Sequence, residues 1–226
     1  TYTFDISGTN GVNDTLAIGG VANLTNAGAK ISINALGALT VGNTNTLVTG
    51  GAGSSLATNG LSLSTASAVR VVGGGNAYSV SLANTATTSI LTVNSNSGAA
   101  ALYWSGSQNA VWNTSNAGPV TNWNTDATSG VNSGLIPTSG TDVYFTTSTP
   151  VATNLTNTLG ADTSIYSLNF TAASGPVVIG AGNNLTLGVG GLTNLSGSNQ
   201  TINAPIVLAG NQTWTNSSAG TTLTIG

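Results

Sequence analysis

The side chains able to take part in acid–base chemistry are five aspartates, one lysine and one arginine. A Ser-His-Asp triad is excluded because the chain contains no histidine, and thiol chemistry is excluded because it contains no cysteine. A serine–lysine pair would have to use Lys30, the only lysine, and nothing in the sequence singles out its serine. The usual nucleophiles and bases of enzymes are therefore nearly absent.

The aspartates offer the remaining catalytic alternative, because glycoside hydrolysis needs two carboxylates flanking the scissile bond. Asp126, Asp142 and Asp162 are the nearest candidates in sequence. However, Gly140-Thr-Asp142 and Gly160-Ala-Asp162 both stand where a loop enters a strand, and aspartate at such positions commonly forms turns. We expect no enzyme; a polysaccharide-processing enzyme is the weakest of three functional hypotheses.

Metal and phosphate sites are not expected either. Zinc requires histidine or cysteine ligands, and calcium usually requires several clustered carboxylates. One structural calcium ion held by an aspartate and backbone carbonyls is the alternative left open. Gly73-Gly-Gly75 is followed by neither a lysine nor a helix pattern, so it predicts a turn and no phosphate cradle. We expect no cofactor.

The aromatic residues supply the best candidate binding site. Six of the twelve aromatic residues fall between positions 103 and 145. Indole rings are favoured at recognition sites, so Trp104, Trp112 and Trp123 are candidate glycan-stacking residues. The alternative, which we favour, is that these rings pack an irregular segment onto the rest of the fold, because aromatic side chains dominate core burial.

The charge balance limits the partners. The formal net charge is −3, and only two cationic side chains are present. Nucleic acids and anionic membranes are bound largely through lysine and arginine, so neither is an expected partner. No apolar run reaches the roughly 18 residues of a membrane helix, so we expect no membrane insertion.

Short alternating apolar residues bounded by Gly, Asn, Ser and Thr predict an all-β fold. An apolar-x-apolar pattern starts at Leu16, Leu39 and Leu61, in steps of 23 and 22 residues. It returns at Leu185, Ile206 and Leu223, in steps of 21 and 17. Periods near 20 residues favour a β-solenoid, the alternative being a sandwich with irregular spacing.

The aromatic segment, which also holds Pro119 and Pro137, suggests a boundary near Ala100. We expect one solenoid block over 1–100. Residues 101–226 would form an aromatic-rich entry segment (101–145) followed by a second block.

Several stretches of the chain resemble the autotransporter-associated β-strand repeat proteins, a family of secreted bacterial surface proteins. The resemblance implies a right-handed parallel β-helix and a role at the bacterial cell surface, and it transfers no catalytic residue. The stretches that carry it are TYTFDISGTNGVNDTLAIGG (1–20), ISINALGALTVG (31–42), YWSGSQNAVWNTSNAGPVTNW (103–123), GTDVYF (140–145), IYSLNF (165–170) and NLTLGVGG (184–191).

Both ends of the sequence read as strands without polar caps, Thr1 to Ile6 and Thr221 to Gly226. Solenoids need caps for solubility, so we expect these strands to pair with other copies or with adjacent repeats of a longer chain. The leading hypothesis is a structural component of an extracellular or cell-surface bacterial fibre or stalk, assembled head to tail. The second is an adhesin or glycan-binding module that uses the aromatic cluster.

Overall fold

The computed structural model describes residues 2–22, 29–59, 61–63, 69–146, 153–217 and 219–226. The chain forms two compact units, Thr1–Ser97 (unit 1) and Gly98–Gly226 (unit 2). Within the described residues, strands dominate and α-helix is limited to the single turn Leu56–Asn59. No helix in this part of the chain is long and apolar enough to cross a membrane. The predicted all-β class is confirmed.

Unit 1 contains a short parallel sheet and a larger mixed one. The parallel sheet has the order β1-β3-β5, and the larger sheet has the order β2-β4-β8-β7-β6. The elements are β1 Tyr2–Ile6, β2 Leu16–Ala17, β3 Lys30–Ala35, β4 Thr44–Thr49, α1 Leu56–Asn59, β5 Ser62–Leu63, β6 Val69–Gly73, β7 Asn76–Asn84 and β8 Thr88–Ala99.

The core of unit 1 follows the alternation of its strands. In β1, Phe4 and Ile6 are buried whereas Thr3 is exposed and Asp5 only partly buried, as expected for a strand with one face on the core. Tyr2 lies on the same face as Phe4 but is exposed at the start of the strand. Ile31 of β3 is paired with Tyr2 and is fully buried. Leu47, Leu56 and Leu91 are also fully buried.

The three glycines of Gly73-Gly-Gly75 form a hairpin turn between β6 and β7. Gly74 and Gly75 both have positive φ, 56° and 79°, as a two-residue type I′ turn requires. The two strands then pair antiparallel, from Gly73 with Asn76 to Val69 with Val80. The sequence-based prediction of a turn at this position is confirmed.

Unit 2 contains two principal sheets. The larger sheet has the path β12-β9-β13-β15-β17-β19 with β20 also on β17, and the smaller has the order β14-β16-β18-β21. The strands are β9 Ala101–Trp104, β10 Ser115–Asn116, β11 Val120–Thr121, β12 Trp123–Asn124, β13 Asp142–Phe145, β14 Thr156–Asn157, β15 Thr163–Phe170, β16 Val178–Ile179, β17 Leu185–Asn194, β18 Gln200–Ile202, β19 Ile206–Leu208, β20 Trp214–Asn216 and β21 Leu223–Ile225.

Both principal sheets of unit 2 are built mainly from parallel pairs. In the larger sheet, Val143, Leu168 and Leu192 occupy successive register positions and are all buried. In the smaller sheet, Ile179 pairs with Ile202, which pairs with Ile225. The inward residues of the two sheets belong to one apolar core.

The predicted fold of a single right-handed parallel β-helix is wrong. The sheets are short, several in number and of mixed direction. Antiparallel pairs join β4 to β8, β6 to β7, β10 to β11 and β12 to β9. One physical reason is the glycine turn at 74–75, since two residues with positive φ reverse the chain directly where a parallel coil needs a long crossover.

The predicted spacing holds for one step in unit 2 and fails for the other step there and in unit 1. Leu185 pairs with Ile206, and Leu187 pairs with Leu208, as the step of 21 residues predicts. Leu223 instead pairs with Gln200 in the smaller sheet. In unit 1, Leu16 pairs with Val48, whereas the periodicity had placed it on Leu39. The sequence repeat therefore predicted the pairing of β17 with β19 in the larger sheet. It did not predict that Leu223 belongs to the smaller sheet.

Asn45 supplies a stability prediction, because its buried side-chain amide has no hydrogen-bond partner among the described residues on either Oδ1 or Nδ2. An unsatisfied buried polar group costs about 1–3 kcal/mol. Asn45→Leu should therefore raise the free energy of unfolding by about 1–2 kcal/mol, measured by urea unfolding of the full chain.

Asn157 is the matched control. It is equally buried, but its Oδ1 accepts a hydrogen bond from Trp112 Nε1 at 2.7 Å and its Nδ2 donates to the Leu155 carbonyl at 3.0 Å. Asn157→Leu leaves both groups unpaired and should cost about 2 kcal/mol or more. A loss of stability in Asn45→Leu would contradict the prediction.

Candidate functional site

The three tryptophans proposed as a binding site lie together in unit 2. Trp104 on β9 and Trp123 on β12 pair directly across two antiparallel strands, and their rings meet edge to face at 5.0 Å between centroids. Trp112, between β9 and β10, meets Trp123 edge to face at 5.1 Å. Phe145 lies 5.8 Å from Trp104 and 5.9 Å from Trp112, which completes an aromatic cluster.

The polar edge of each indole in this cluster has an internal partner. Trp112 Nε1 donates to Asn157 Oδ1, and Trp123 Nε1 donates to the Trp112 carbonyl at 2.8 Å. Trp104 Nε1 donates to the Thr153 carbonyl at 3.0 Å. Buried indoles usually need such partners, so the cluster is built as core.

Burial removes these rings from any binding surface. Trp104 is 2% exposed, and Trp112 and Trp123 are fully buried. A sugar cannot stack on a ring that has no face in solvent, so the structure gives Trp104, Trp112 and Trp123 the packing role, not the glycan-stacking one. The cluster also ends the parallel pairing of the larger sheet, because β12 runs antiparallel on β9.

The aspartates form turn and ladder contacts. Asp126 accepts hydrogen bonds from the backbone amides of Thr128 at 2.7 Å and Ser129 at 2.6 Å, and these bonds hold its pKa well below the usual value. Asp142 accepts a hydrogen bond from the Ser167 hydroxyl on the neighbouring strand. Asp162 accepts one from the Asn184 amide at 2.8 Å.

A metal centre is not found in the described part of the chain. Those residues contain no group of three or more His, Cys, Asp or Glu side chains placed to hold an ion.

A row of outward side chains crosses the larger sheet of unit 2, and sequence reasoning missed it. We call it the outer row. It runs through successive register positions on β9, β13, β15, β17 and β20: Tyr103, Tyr144, Asn169, Thr193 and Thr215. The signal was present in the alternation of each strand, but the order of the strands in the sheet could not be obtained from sequence.

Tyr103 and Tyr144 form a stacked pair within this row. Their ring centroids are 4.9 Å apart and their planes differ by 14°. Partial burial raises the pKa of the Tyr103 phenol, and the carboxylates of Asp126 and Asp142 raise it further.

The second candidate surface is the edge of the two sheets formed by β19, β20 and β21, which we call the edge layer. In the described part of the chain, each of these strands has a partner on one side only: β17 for β19 and β20, and β18 for β21. Their other edges present backbone amides and carbonyls that no described strand pairs. Unpaired edges of this kind are templates for strand addition.

Inward positions of the edge layer are also left uncovered. Leu208, Trp214 and Ile225 are 58, 39 and 41% exposed. Their partners in the preceding strands, Leu187, Leu192 and Ile202, are all fully buried. The inward position is thus fully buried on β17 and β18 and about half exposed on the strands of the edge layer.

Unit 1 has an apolar groove next to its own edge strand β1. The groove has a volume of about 100 Å³. Tyr2 and Leu16, which are 68 and 48% exposed, form part of its wall. Its lining is entirely apolar apart from the tyrosine hydroxyl: Tyr2, Phe4, Leu16, Ile18, Ala29, Val48, Leu56 and Leu61.

Comparison with known proteins gives no match to a family model, to a curated protein or to a solved structure. The resemblance to autotransporter-associated repeat proteins is therefore still a prediction.

The buried cluster generates a stability prediction. Trp123→Ala should cost about 3–5 kcal/mol of unfolding free energy, because it leaves a cavity in the core and an unpaired Trp112 carbonyl. Trp214→Ala, which removes the same side chain from the 39% exposed position, is the control and should cost about 1–2 kcal/mol. Equal losses in urea unfolding would show that the cluster is not the core of unit 2.

The stacked tyrosines generate a pH prediction. A raised pKa means that Tyr103 holds its proton more tightly when folded, so its contribution to stability is present below pH 10 and is lost as the pH rises through the folded pKa. Above the ordinary value of 10.0, native protein should lose stability with pH more steeply than Tyr103→Phe. Parallel slopes of unfolding free energy against pH for the two proteins would contradict this. The difference in unfolding free energy between them at pH 7 serves as the reference.

Proposed function

We propose that this protein is a non-catalytic structural element of a bacterial extracellular or cell-surface fibre, and that copies join head to tail through the edge layer. One observation carries the proposal: inward apolar residues of the edge layer are half exposed, although their partners one strand earlier are fully buried. A face of this kind is complete only when another surface covers it.

The exposed side chains and the unpaired backbone of the edge layer favour a strand as the occupant. Parallel and antiparallel strands satisfy the backbone groups of an edge, while apolar side chains provide most of the free energy. The edge layer carries no charged residue. Lysine, the usual protection of sheet edges against pairing, is therefore missing from it.

The occupant we propose is β1 of a second copy together with the groove beside it. Among the described strands, β1 pairs only with β3, so its far edge is available over Tyr2 to Phe4. A cavity of about 150 Å³ holds benzene, so a groove of about 100 Å³ suits an aliphatic side chain such as Leu208 better than the indole of Trp214. Both surfaces are apolar and neither carries a cation.

Joining two different surfaces has a consequence for symmetry. A heterologous contact between the edge layer of one copy and β1 of the next leaves one surface of each kind unused at the ends. Repetition of such a contact gives an open filament unless the rotation closes it into a ring. An open filament of this kind is the fibre or stalk that we propose.

The composition supports a location outside the cell. Trypsin would have only two sites, Lys30 and Arg70, in the whole chain. Seven charged side chains leave little that titrates, so stability should vary weakly with pH over the neutral range. Resistance to proteases and to changes of medium is what a surface fibre requires.

Two complementary variants test the head-to-tail contact. Leu208→Lys places a charge on the edge layer, and Tyr2→Lys places one beside the groove of unit 1. Each variant alone should remain monomeric in sedimentation velocity, at concentrations where native protein forms filaments in negative-stain images. An equimolar mixture should form heterodimers, because each variant retains the surface that the other has lost.

Val131→Lys is the matched control, since Val131 is 56% exposed in unit 2 and lies on none of these strands. This variant should assemble like native protein. Dimers of Tyr2→Lys alone would indicate a twofold contact between edge layers and would contradict the head-to-tail arrangement. Native protein that stays monomeric at every concentration would overturn the proposed function.

A further inference from the structure

We propose that the outer row of unit 2 binds a neutral oligosaccharide, which packs against the Tyr103–Tyr144 pair and is hydrogen-bonded by the polar side chains of the neighbouring strands. This inference does not depend on the proposed assembly, because the contacts that carry it lie on β9, β13 and β15, and only the last member of the row, Thr215 on β20, also belongs to the edge layer.

Strand alternation directs the outer row away from the core. Leu102, Val143, Leu168 and Leu192 precede its first four members in sequence, and all are buried. Tyr103, Tyr144, Asn169 and Thr193 are only partly buried. Neighbouring strands lie about 4.8 Å apart, so the row is a straight track of evenly spaced side chains.

The two tyrosines form a step at one end of this track. Tyr103 covers one face of the Tyr144 ring. On the other side of Tyr144 the next strand carries Asn169, followed by Thr193 and Thr215, which are much shorter side chains. The tyrosine pair is therefore the aromatic end of a row whose other members are short and polar. An amphipathic ligand such as a sugar, with apolar C–H faces and hydroxyl edges, matches an aromatic wall above a polar floor.

The polar floor next to Tyr144 is held in place by internal hydrogen bonds. Asn169 Nδ2 donates to Ser167 Oγ at 2.8 Å and to the Val143 carbonyl at 3.2 Å. The Ser167 hydroxyl in turn donates to Asp142. Groups fixed in this way lose little freedom when a ligand binds, which favours recognition. Amide, hydroxyl and carboxylate oxygens together are acceptors and donors suited to a polyhydroxylated ligand.

Charge selects a neutral sugar over an acidic one. The Asp126 and Asp142 carboxylates both act on the Tyr103 phenol. The two cations of the chain, Lys30 and Arg70, belong to unit 1. An anionic sugar such as a uronate would therefore meet two negative charges, and unit 2 contains no cationic side chain to offset them.

The test is affinity electrophoresis of the full chain through gels that contain a neutral β-glucan, a mannan, a xylan or polygalacturonate. We expect retardation by at least one neutral polymer and none by polygalacturonate. Tyr144→Ala should weaken binding to that polymer about tenfold, as expected for the loss of one stacked aromatic contact. Leu36→Ala is the control, because Leu36 is a 65% exposed apolar residue of unit 1 that lies outside the row and outside both surfaces proposed for assembly.

A second variant protects the test against misfolding of Tyr144→Ala. Thr193→Arg adds a long side chain in the middle of the row, at an outward position whose inward neighbours Leu192 and Asn194 are untouched. It should also abolish the retardation while leaving the near-ultraviolet circular dichroism unchanged. Absence of binding to every neutral polymer, unchanged binding in both variants, or equal binding to polygalacturonate would overturn the proposal.

Discussion

The parallel pairing between successive strands of unit 2 is the constraint on which the rest of that unit depends. Pairing places Leu185 over Ile206 and Ile202 over Ile225, so each inward residue is buried only if the neighbouring strand continues the pattern. Burial of a side chain of this size is worth about 1.5–3 kcal/mol. A stack of this kind gains stability with every added strand, and for the same reason its two ends need separate solutions.

The two ends of the larger sheet differ in whether their inward residues are covered. At one end the chain leaves the parallel pattern, and the antiparallel strand β12 brings Trp123 onto Trp104. Three buried indoles with satisfied N–H groups then seal the core without a single charge. At the other end Leu208 and Trp214 are 58 and 39% exposed, and no described strand covers them. The asymmetry between a sealed end and an open end is the feature on which the proposed directional assembly rests.

Sequence reasoning predicted part of this arrangement, and the physical reason for each failure is clear. Strand alternation and turn chemistry are local, so the all-β class and the turn at Gly74 and Gly75 could be read from the residues. The pairing of Leu187 with Leu208 could be read from a repeat of constant length. The mixed sheets of unit 1 could not, because Leu16 pairs with Val48 across a long connection that has no counterpart in sequence spacing. The burial of Trp104, Trp112 and Trp123 depends on β12 turning back onto β9, which is equally non-local.

The scarcity of charge also determines how polar groups are used. With only two cations in the chain, ion pairs cannot specify the register of many strands, and the sheets use amide and hydroxyl contacts, such as Asn194 Nδ2 to Asn216 Oδ1 at 3.0 Å and the Asn184 backbone amide to Asp162 at 2.8 Å. Such contacts are short-ranged and require the partner strand in one register, because a slip by one residue moves each side chain to the other face. Asn194 is fully buried beneath Asn216, whereas Asn216 lies exposed on the edge layer. The edge layer therefore presents polar groups beside its apolar residues. A strand that covers it has to pair with the polar groups and bury the apolar ones. This requirement favours a partner strand in which polar and apolar residues alternate over a uniformly apolar surface.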